Sequence, residues 1–218
     1  MGKLPKTFEP GPPAAFSLAS TISASSILNY NSIVGQTFRV ATTVSLRGIQ
    51  FIEAEEGLKK IPYDDLGSNP PRGNCTIGYG HLIHFGICTQ ADFSQYPSGI
   101  TQNAAEQLLY GDVFSIALYP IKFLVSVPLA QKELDALVDF TFNIGSGNSV
   151  ASLQKQKGLA STTLLRVLNL GLYSAVPAEF KKFVNSGGLP VQALVRRRND
   201  EAYLWTTGIY FANGRLIP

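Results

Sequence analysis

Apolar residues recur at helical spacing in several segments of the chain. SLRGIQFIEAEEG predicts a helix with Ser45 as its N-cap and Gly57 just past its end. A second helix is predicted from a cap at Thr101, and a third, in PLAQKELDALVDFTFNIG, stops at Gly145. Three more helices are predicted over 161–170, 175–184 and 191–206.

Extended segments are predicted only between the first and second helices. KKIPYDD reads as a short edge or irregular strand, because its proline cannot donate to a ladder. TIGYGHLI alternates well enough for a strand with tight glycine bends. A small irregular β-region followed by a mostly helical body predicts an α+β fold with a groove between the two parts.

Residues 1–45 differ from the rest of the chain. They are rich in Pro, Ser, Ala and Thr, almost without charge in PGPPAAFSLASTISASSILNYNS, and show no sustained period. We interpret residues 1–45 as a leader or linker arm and residues 46–218 as the folded domain.

Composition narrows the possible classes of protein. The chain has 218 residues, 45% of them hydrophobic, and a formal net charge of +3, which indicates a soluble surface rather than a nucleic-acid binder. No apolar run is long enough to span a bilayer, and no ordinary secretion signal is recognised. We therefore expect no nucleic-acid partner and no stable membrane span. A monomer without a cofactor is a separate expectation.

The segment EAEEGLKKIPYDD concentrates five carboxyl groups. Glu56 would stand at the end of an apolar helix, where the helix dipole and partial burial both favour the protonated acid. Asp65 would lie on the extended segment, where water and amide donors favour the charged form. One protonated and one charged carboxyl is the division of roles in glycoside hydrolysis, although a solvated acidic helix end explains the same residues.

The segment NCTIGYGHLIHFGIC contains both cysteines and both histidines of the chain. Cys75, His81, His84 and Cys88 are zinc-ligand types, but the spacing lacks the paired form of structural zinc sites, and the histidines would point to opposite faces of a strand. No metal is therefore expected. A cysteine–histidine thiol enzyme is disfavoured, and a Cys75–Cys88 disulfide across a turn is preferred over free buried thiols.

In their order along the chain, EEGLKKIPYDD, TIGYGH, FTFNIG, STTLLRVLN and RRRNDE closely resemble the phage-type lysozyme family, glycoside hydrolase family 24. The resemblance covers about Ser45 to Trp205. It implies a lysozyme-like fold with a small β-lobe, a larger helical lobe and a cleft between them. It also implies a muramidase that cleaves the β-1,4 bond between N-acetylmuramic acid and N-acetylglucosamine in peptidoglycan, without a cofactor.

The resemblance also implies roles for individual residues. Glu56 matches the family's general acid, while Asp65 and Thr76 match the residues that hold the attacking water of an inverting reaction. Tyr63, His81 and Asn143 match positions that line or brace the cleft. Arg197, Arg198 and Glu201 resemble a structural ion-pair motif.

Two departures bear on these roles. The loop LGSNPPRGNC between Asp65 and Thr76 is longer than is usual in the family, which leaves Asp64 as a competing second carboxylate. Phe183 stands where the family often has tryptophan.

The biological setting stays open at this point. A phage endolysin and a secreted antibacterial effector would share this chemistry, and a non-catalytic wall-binding module is a further alternative. Peptidoglycan glycan strands are the expected partner, with an immunity protein or a secretion machinery as further partners of an effector. The protein is expected to be made in the cytoplasm and to act in the bacterial periplasm or cell wall, by an export route that the sequence does not identify.

Overall fold

The computed structural model describes residues 40–67, 69–147 and 158–218. Most of the predicted arm, residues 1–39, therefore lies outside the described residues. The last arm residues contact the folded domain, since the Ala41 amide donates to the Leu129 carbonyl at 2.9 Å. Within the described ranges, no helix is both long and apolar enough to cross a bilayer.

The described ranges contain eight α-helices and seven strands, numbered in chain order. The helices are α1 (Leu46–Glu56), α2 (Gln90–Gln95), α3 (Gln102–Asp112), α4 (Tyr119–Leu124), α5 (Gln131–Ile144), α6 (Thr163–Asn169), α7 (Val176–Phe180) and α8 (Gln192–Thr207). The strands are β1 (Lys59–Asp64), β2 (Cys75–Gly78), β3 (His81–His84), β4 (Asn185–Ser186), β5 (Leu189–Pro190), β6 (Phe211–Ala212) and β7 (Arg215–Leu216). Short 3₁₀ turns cover Leu159–Ser161 and Tyr173–Ala175, and a π-helical segment covers Val113–Leu118.

The first helix forms as its sequence predicts. The Ser45 hydroxyl accepts from the Gly48 amide at 3.0 Å, which satisfies one of the free donors of the first turn. At the other end Gly57 adopts a φ of 71°, and its amide donates to the Glu53 carbonyl. Helix α1 thus ends at Glu56, directly before the chain enters β1.

The β-region is an antiparallel sheet in the order β1-β2-β3. The tight glycine bends predicted in TIGYGHLI are present, because Gly78 and Gly80 adopt φ values of 70° and 84° and fold the segment into the β2–β3 hairpin. Tyr63 pairs with Thr76 across β1 and β2, so the register brings the predicted site residues of the two strands together.

The second predicted helix continues into two further helical segments. Helix α3 begins at its Thr101 cap, passes into the π-helical segment and goes on through α4. Pro120, the second residue of α4, has no amide to donate, and it stands directly after the π-helical segment, where the α-helical hydrogen-bond spacing is already interrupted.

Most of the buried apolar residues form one core that spans the helical body. The rings of Phe140 and Phe180 meet edge-to-face at 5.0 Å between centroids, and Phe180 meets Trp205 at 5.8 Å. Helix α7 is shorter than the predicted 175–184, while α5 and α8 agree with their predicted ranges. The α+β fold class is confirmed.

Buried Asp135 joins the two ends of the described domain. Its carboxylate accepts from the Ser45 amide at 2.9 Å, from the Gln131 side chain at 2.9 Å and from the Tyr210 hydroxyl at 2.6 Å. The Ser45 hydroxyl donates to the same carboxylate. Since Asp135 is fully buried, these donors replace the water that its charge has lost.

Tyr210→Phe is expected to lower the free energy of unfolding by about 1–3 kcal/mol, because it removes one donor from a buried carboxylate. The ring stays, and with it the stacking of Arg47, whose guanidinium lies 4.3 Å from the ring centroid. Urea unfolding measures the loss, with Tyr203→Phe at a half-exposed position as the control. Equal unfolding midpoints for the two variants would contradict this role of Asp135.

Candidate active site

Glu56 stands at the junction between the helical body and the sheet. Its Oε1 accepts a hydrogen bond from Nη1 of Arg197 on α8 at 2.6 Å. Its other oxygen, Oε2, faces the β2–β3 turn, where a Cβ on Gly80 would lie 3.7 Å away. The two oxygens therefore have different surroundings, one against a guanidinium and one beside a residue without a side chain.

Arg197 is itself held by Asp139 on α5. Nε and Nη2 donate to the two oxygens of Asp139 at 3.1 and 2.7 Å, which is the bidentate geometry that suits a guanidinium and a carboxylate. Burial alone would raise the pKa of Asp139, but the charge and hydrogen bonds of Arg197 outweigh it and lower that pKa. The position of Glu56 is thus fixed through Arg197 by a buried carboxylate.

From the sequence, Arg197 was predicted only as part of a structural ion-pair motif. Its contact with Glu56 was not predicted. That contact adds a positive charge which the helix-end argument for Glu56 did not include. Two signals were present, namely a lone Asp139 inside the apolar run LVDFTF and the three consecutive arginines of α8. A charge in an apolar helix needs a partner, and the arginines were the available ones.

The neighbouring Arg198 is structural, as predicted. Its Nη2 donates to Glu201 at 2.6 Å and to Asn143 at 3.1 Å, and its guanidinium lies 4.9 Å from the centroid of the Phe140 ring. Burial raises the pKa of Glu201 well above its usual range, against the opposing charge of Arg198. Asn143, predicted at the cleft, is exposed and holds the end of α5 to α8 through this hydrogen bond.

The two candidate second carboxylates have different partners. Asp65 is exposed, and its oxygens accept from the backbone amide of Asn74 at 2.8 Å and from the Asn74 side chain at 3.3 Å. Asp64 is half-buried, and its Oδ1 accepts from the Cys88 amide at 2.7 Å. Asp64 thus ties β1 to the segment after β3, whereas Asp65 lies open to solvent in the turn.

Thr76 lies in the middle of the sheet. It is buried, and its hydroxyl donates to the Tyr63 carbonyl at 3.2 Å, within the β1–β2 pairing. The oxygen lone pairs of the hydroxyl are still able to accept a hydrogen bond. Tyr63 itself is half-buried.

The two histidines serve different parts of the fold, as their spacing on a strand predicted. His81 pairs through Nδ1 with Asp112 at 2.8 Å, which joins β3 to the end of α3. His84 pairs through Nε2 with Asp92 at 3.1 Å, which joins β3 to α2.

The predicted disulfide is present, linking Cys75 in β2 to Cys88 beyond β3. Cys75, His84 and Asp92 each offer a possible metal-ligand atom within 4.8 Å of the others. The Cys75 sulfur is already bonded to Cys88, so this group does not supply a free thiolate. The bond fixes the strand position directly before Thr76.

Two of the cavities differ in their relation to these residues. One cavity, of about 500 Å³, lies beside the end of α1 and is lined by Glu53, Gly57, Tyr79 and Arg215, among others. Another, of about 850 Å³, lies between α8 and the C-terminal hairpin. Glu56, Asp65 and Thr76 line neither of them, so cavity size does not locate the predicted site.

A helix-end glutamate held by a buried arginine above a three-stranded sheet defines a lysozyme-like arrangement. The family model described as phage lysozyme matches residues 53–201. The endolysin of Bacillus phage B103 is 34% identical over 165 residues, which cover 76% of this chain and 54% of that protein. The endolysin of Salmonella phage P22 is 34% identical over 161 residues, which cover 73% of this chain and 95% of that protein.

A solved structure gives the same result. The muramidase domain of SpmX from Asticaccaulis excentricus superposes with a TM-score of 0.59 at 26% identity, covering 77% of this chain and 99% of that domain. The chain belongs to the phage lysozyme family, and its lysozyme-like α+β fold is confirmed. It spans about half the length of the B103 endolysin but nearly all of the P22 endolysin.

Asp139→Asn is expected to lower the free energy of unfolding by about 3–5 kcal/mol, because it leaves the buried guanidinium of Arg197 without its main counter-charge. Chemical denaturation measures the change. Lys59→Gln provides the control, since it neutralises an exposed charge at the surface, where a substitution usually changes the stability by no more than about 0.5 kcal/mol. A loss no larger than that of the control would show that Asp139 is not essential to the network.

Proposed function

We propose that this chain is a muramidase that cleaves the β-1,4 bond between N-acetylmuramic acid and N-acetylglucosamine in peptidoglycan. The main observation behind this proposal is the position of Glu56, which Arg197 holds at the junction of helix and sheet. Membership of the phage lysozyme family and the likeness to a muramidase domain support the same activity.

Glu56 is the proposed general acid. Arg197 holds Oε1, so Oε2 is the oxygen that would deliver a proton to the leaving glycosidic oxygen. Gly80 opposite Oε2 has no side chain, and this leaves room for a sugar at that oxygen. The acid needs a fixed direction of approach, and the hydrogen bond from Arg197 provides it.

Asp65 and Thr76 are the proposed water-holding pair. The Thr76 hydroxyl donates to the Tyr63 carbonyl, so its oxygen can accept one hydrogen of the attacking water. The Asp65 carboxylate would accept the other hydrogen and take up the proton as the water attacks the anomeric carbon. Asp65 is exposed and held only by Asn74, whereas Asp64 is half-buried and ties β1 to the segment after β3 through the Cys88 amide, and this difference in exposure favours Asp65 over Asp64.

The remaining predicted residues are assigned to support and binding. We assign His81 to the cleft wall, where Asp112 fixes the orientation of its ring. Tyr63 is assigned to substrate binding beside Thr76, and Asn143 to bracing α5 against α8.

The relatives named endolysins favour a role in lysis of the bacterial wall over a secreted effector. The substrate then lies in the periplasm or the wall, an oxidising setting that suits the Cys75–Cys88 disulfide.

Glu56→Gln is expected to reduce the clearing of purified peptidoglycan by at least about 100-fold, because the amide cannot donate the acidic proton. Turbidity measures the rate, and circular dichroism checks that the variant folds. Glu53→Gln, one turn earlier on α1, is the matched control and should retain activity. A folded Glu56→Gln variant that clears as fast as wild type would refute the assignment.

Hydrolysis by the proposed mechanism inverts the anomeric centre, because water attacks directly from the face opposite the leaving group. The first product should therefore be the α-anomer. Proton NMR of fresh product, recorded before mutarotation, distinguishes the two cases. An initial β-anomer would indicate a covalent intermediate and remove the water-holding role of Thr76.

A further inference from the structure

Two carboxyl groups meet at a single backbone amide beside the proposed acid. Glu55, the residue before Glu56, lies on α1, and Asp200 lies on α8. The backbone N–H of Asn213, in the turn of the C-terminal hairpin β6–β7, lies 2.9 Å from Oε1 of Glu55 and 3.1 Å from Oδ2 of Asp200. The Asn213 side chain donates to the Ala54 carbonyl at 2.9 Å, which holds the turn against the end of α1.

This geometry does not suit two negative charges. Two oxygens that share one donor lie close together, and one N–H cannot satisfy both of them when both groups are charged. The Glu55 side chain is 1% exposed, so water does not screen the repulsion. A hydrogen bond between the two carboxyls relieves it, and such a bond needs one proton.

The surrounding charges do not remove the conflict. Helix α5 contributes another negative charge, Asp139, while on α8 Arg197 is already committed to Asp139 and Glu56. Arg196 lies 3.5 Å from Oε2 of Glu55, but its side chain is 43% exposed. Burial first, and then Asp139, raises the pKa of Glu55 to about 7.

The pKa of the partner carboxyl, Asp200, is raised as well. Burial raises the pKa of Asp200, against the hydrogen bonds from Asn213 and Glu55. Arg215, the charged residue of the hairpin, acts on Glu53 and Tyr79 on the other side of the α1 end.

We propose that Glu55 and Asp200 share one proton at neutral pH, and that the shared proton positions Glu56 by keeping the hairpin turn docked on the end of α1. Glu55 is then a positioning residue that acts through the helix end, and this role rests on the proposed function of Glu56. When the proton is lost, the two carboxylates repel each other around the Asn213 amide. The turn and the last turn of α1 then separate, and Glu56 loses its fixed direction.

The proton links the pair to stability. The pKa of Glu55 is 4.5 in its ordinary state and about 7 in the fold, so the folded chain retains a proton that the unfolded chain releases. The stabilisation is complete below pH 4.5 and is lost as the pH rises through about 7. The pKa of Asp200 is also raised, so Asp200 contributes to the stability with the same dependence on pH.

The decisive experiment follows the Asn213 amide of the full chain by ¹H–¹⁵N NMR between pH 5 and 9, in the absence of substrate. The wild-type resonance should titrate near pH 7, and the melting temperature should fall over the same interval. Glu55→Gln supplies a neutral group that still donates to Asp200, so both changes should disappear, and Asp200→Asn should reproduce this result. Glu53→Gln, which removes a carboxyl outside the pair, should behave as wild type.

The activity arm tests the positioning role. In wild type, the rate of peptidoglycan clearing should fall by up to about tenfold per pH unit above neutrality, as for an essential proton. Glu55→Gln should move this alkaline limb to higher pH, while Glu53→Gln leaves it in place. An Asn213 resonance that does not titrate near neutrality would overturn the proposal of a shared proton. An alkaline limb of the pH–rate profile that stays in place in Glu55→Gln would overturn the positioning role. The NMR arm needs no hydrolysis, so it decides the shared proton even where the muramidase proposal fails.

Discussion

The ion pair between Arg197 and Asp139 is the interaction on which the arrangement of this domain depends. The two residues lie on α8 and α5, and they meet at the end of α1, where Arg197 also holds Glu56. Three helices therefore converge on one guanidinium. Arg197 is almost fully buried, so the loss of Asp139 would leave its charge in the interior with only Glu56 and the more distant Glu201 as partners.

Helix α5 secures α1 at both of its ends. Asp135 accepts from Ser45 at the start of α1, and Asp139 holds Glu56 at its end through Arg197. Asp135 and Asp139 are four residues apart and so lie on one face of α5, and both are fully buried. Helix α1 is thus fixed in length and direction, which places its last residue against the sheet that carries Thr76. The hairpin that carries Tyr210 and Asn213 closes the same arrangement from the C-terminal side.

Local sequence signals predicted much of this fold. Ser45, Gly57, Thr101 and Gly145 mark helix ends because capping depends on a few adjacent residues, and each marks the end that was expected. The bend between β2 and β3 was predicted because glycine adopts positive φ at little cost. The C-terminal hairpin was missed because two-residue strands carry no periodicity.

The candidate site divides in the same way. The resemblance to the family placed Glu56, Asp65 and Thr76, but no local pattern shows that Arg197 reaches a residue 141 positions earlier. The Cys75–Cys88 disulfide was predicted because the chain's two cysteines stand at either side of a segment that glycines can bend back. The Glu55–Asp200 pair could not be predicted, since it depends on the hairpin turn that brings Asn213 between them. Contacts between distant segments are thus the part that the sequence did not supply.

A stable core does not require so many buried charges. Replacing a buried ionic group by well-packed apolar residues is often neutral or stabilising, so stability alone does not account for Arg197, Asp139 and Glu201 in the interior. These buried charges restrict the directions in which their partner side chains can point. The hydrophobic effect is non-directional, whereas a bidentate guanidinium bond allows only a narrow range of positions. The proposed general acid, Glu56, would have to meet one oxygen of a sugar chain and so needs such a restriction, while the Asn213 amide brings Glu55 and Asp200 close enough to share the proposed proton. The cost in stability and the control of Glu56 therefore arise from one arrangement of charges.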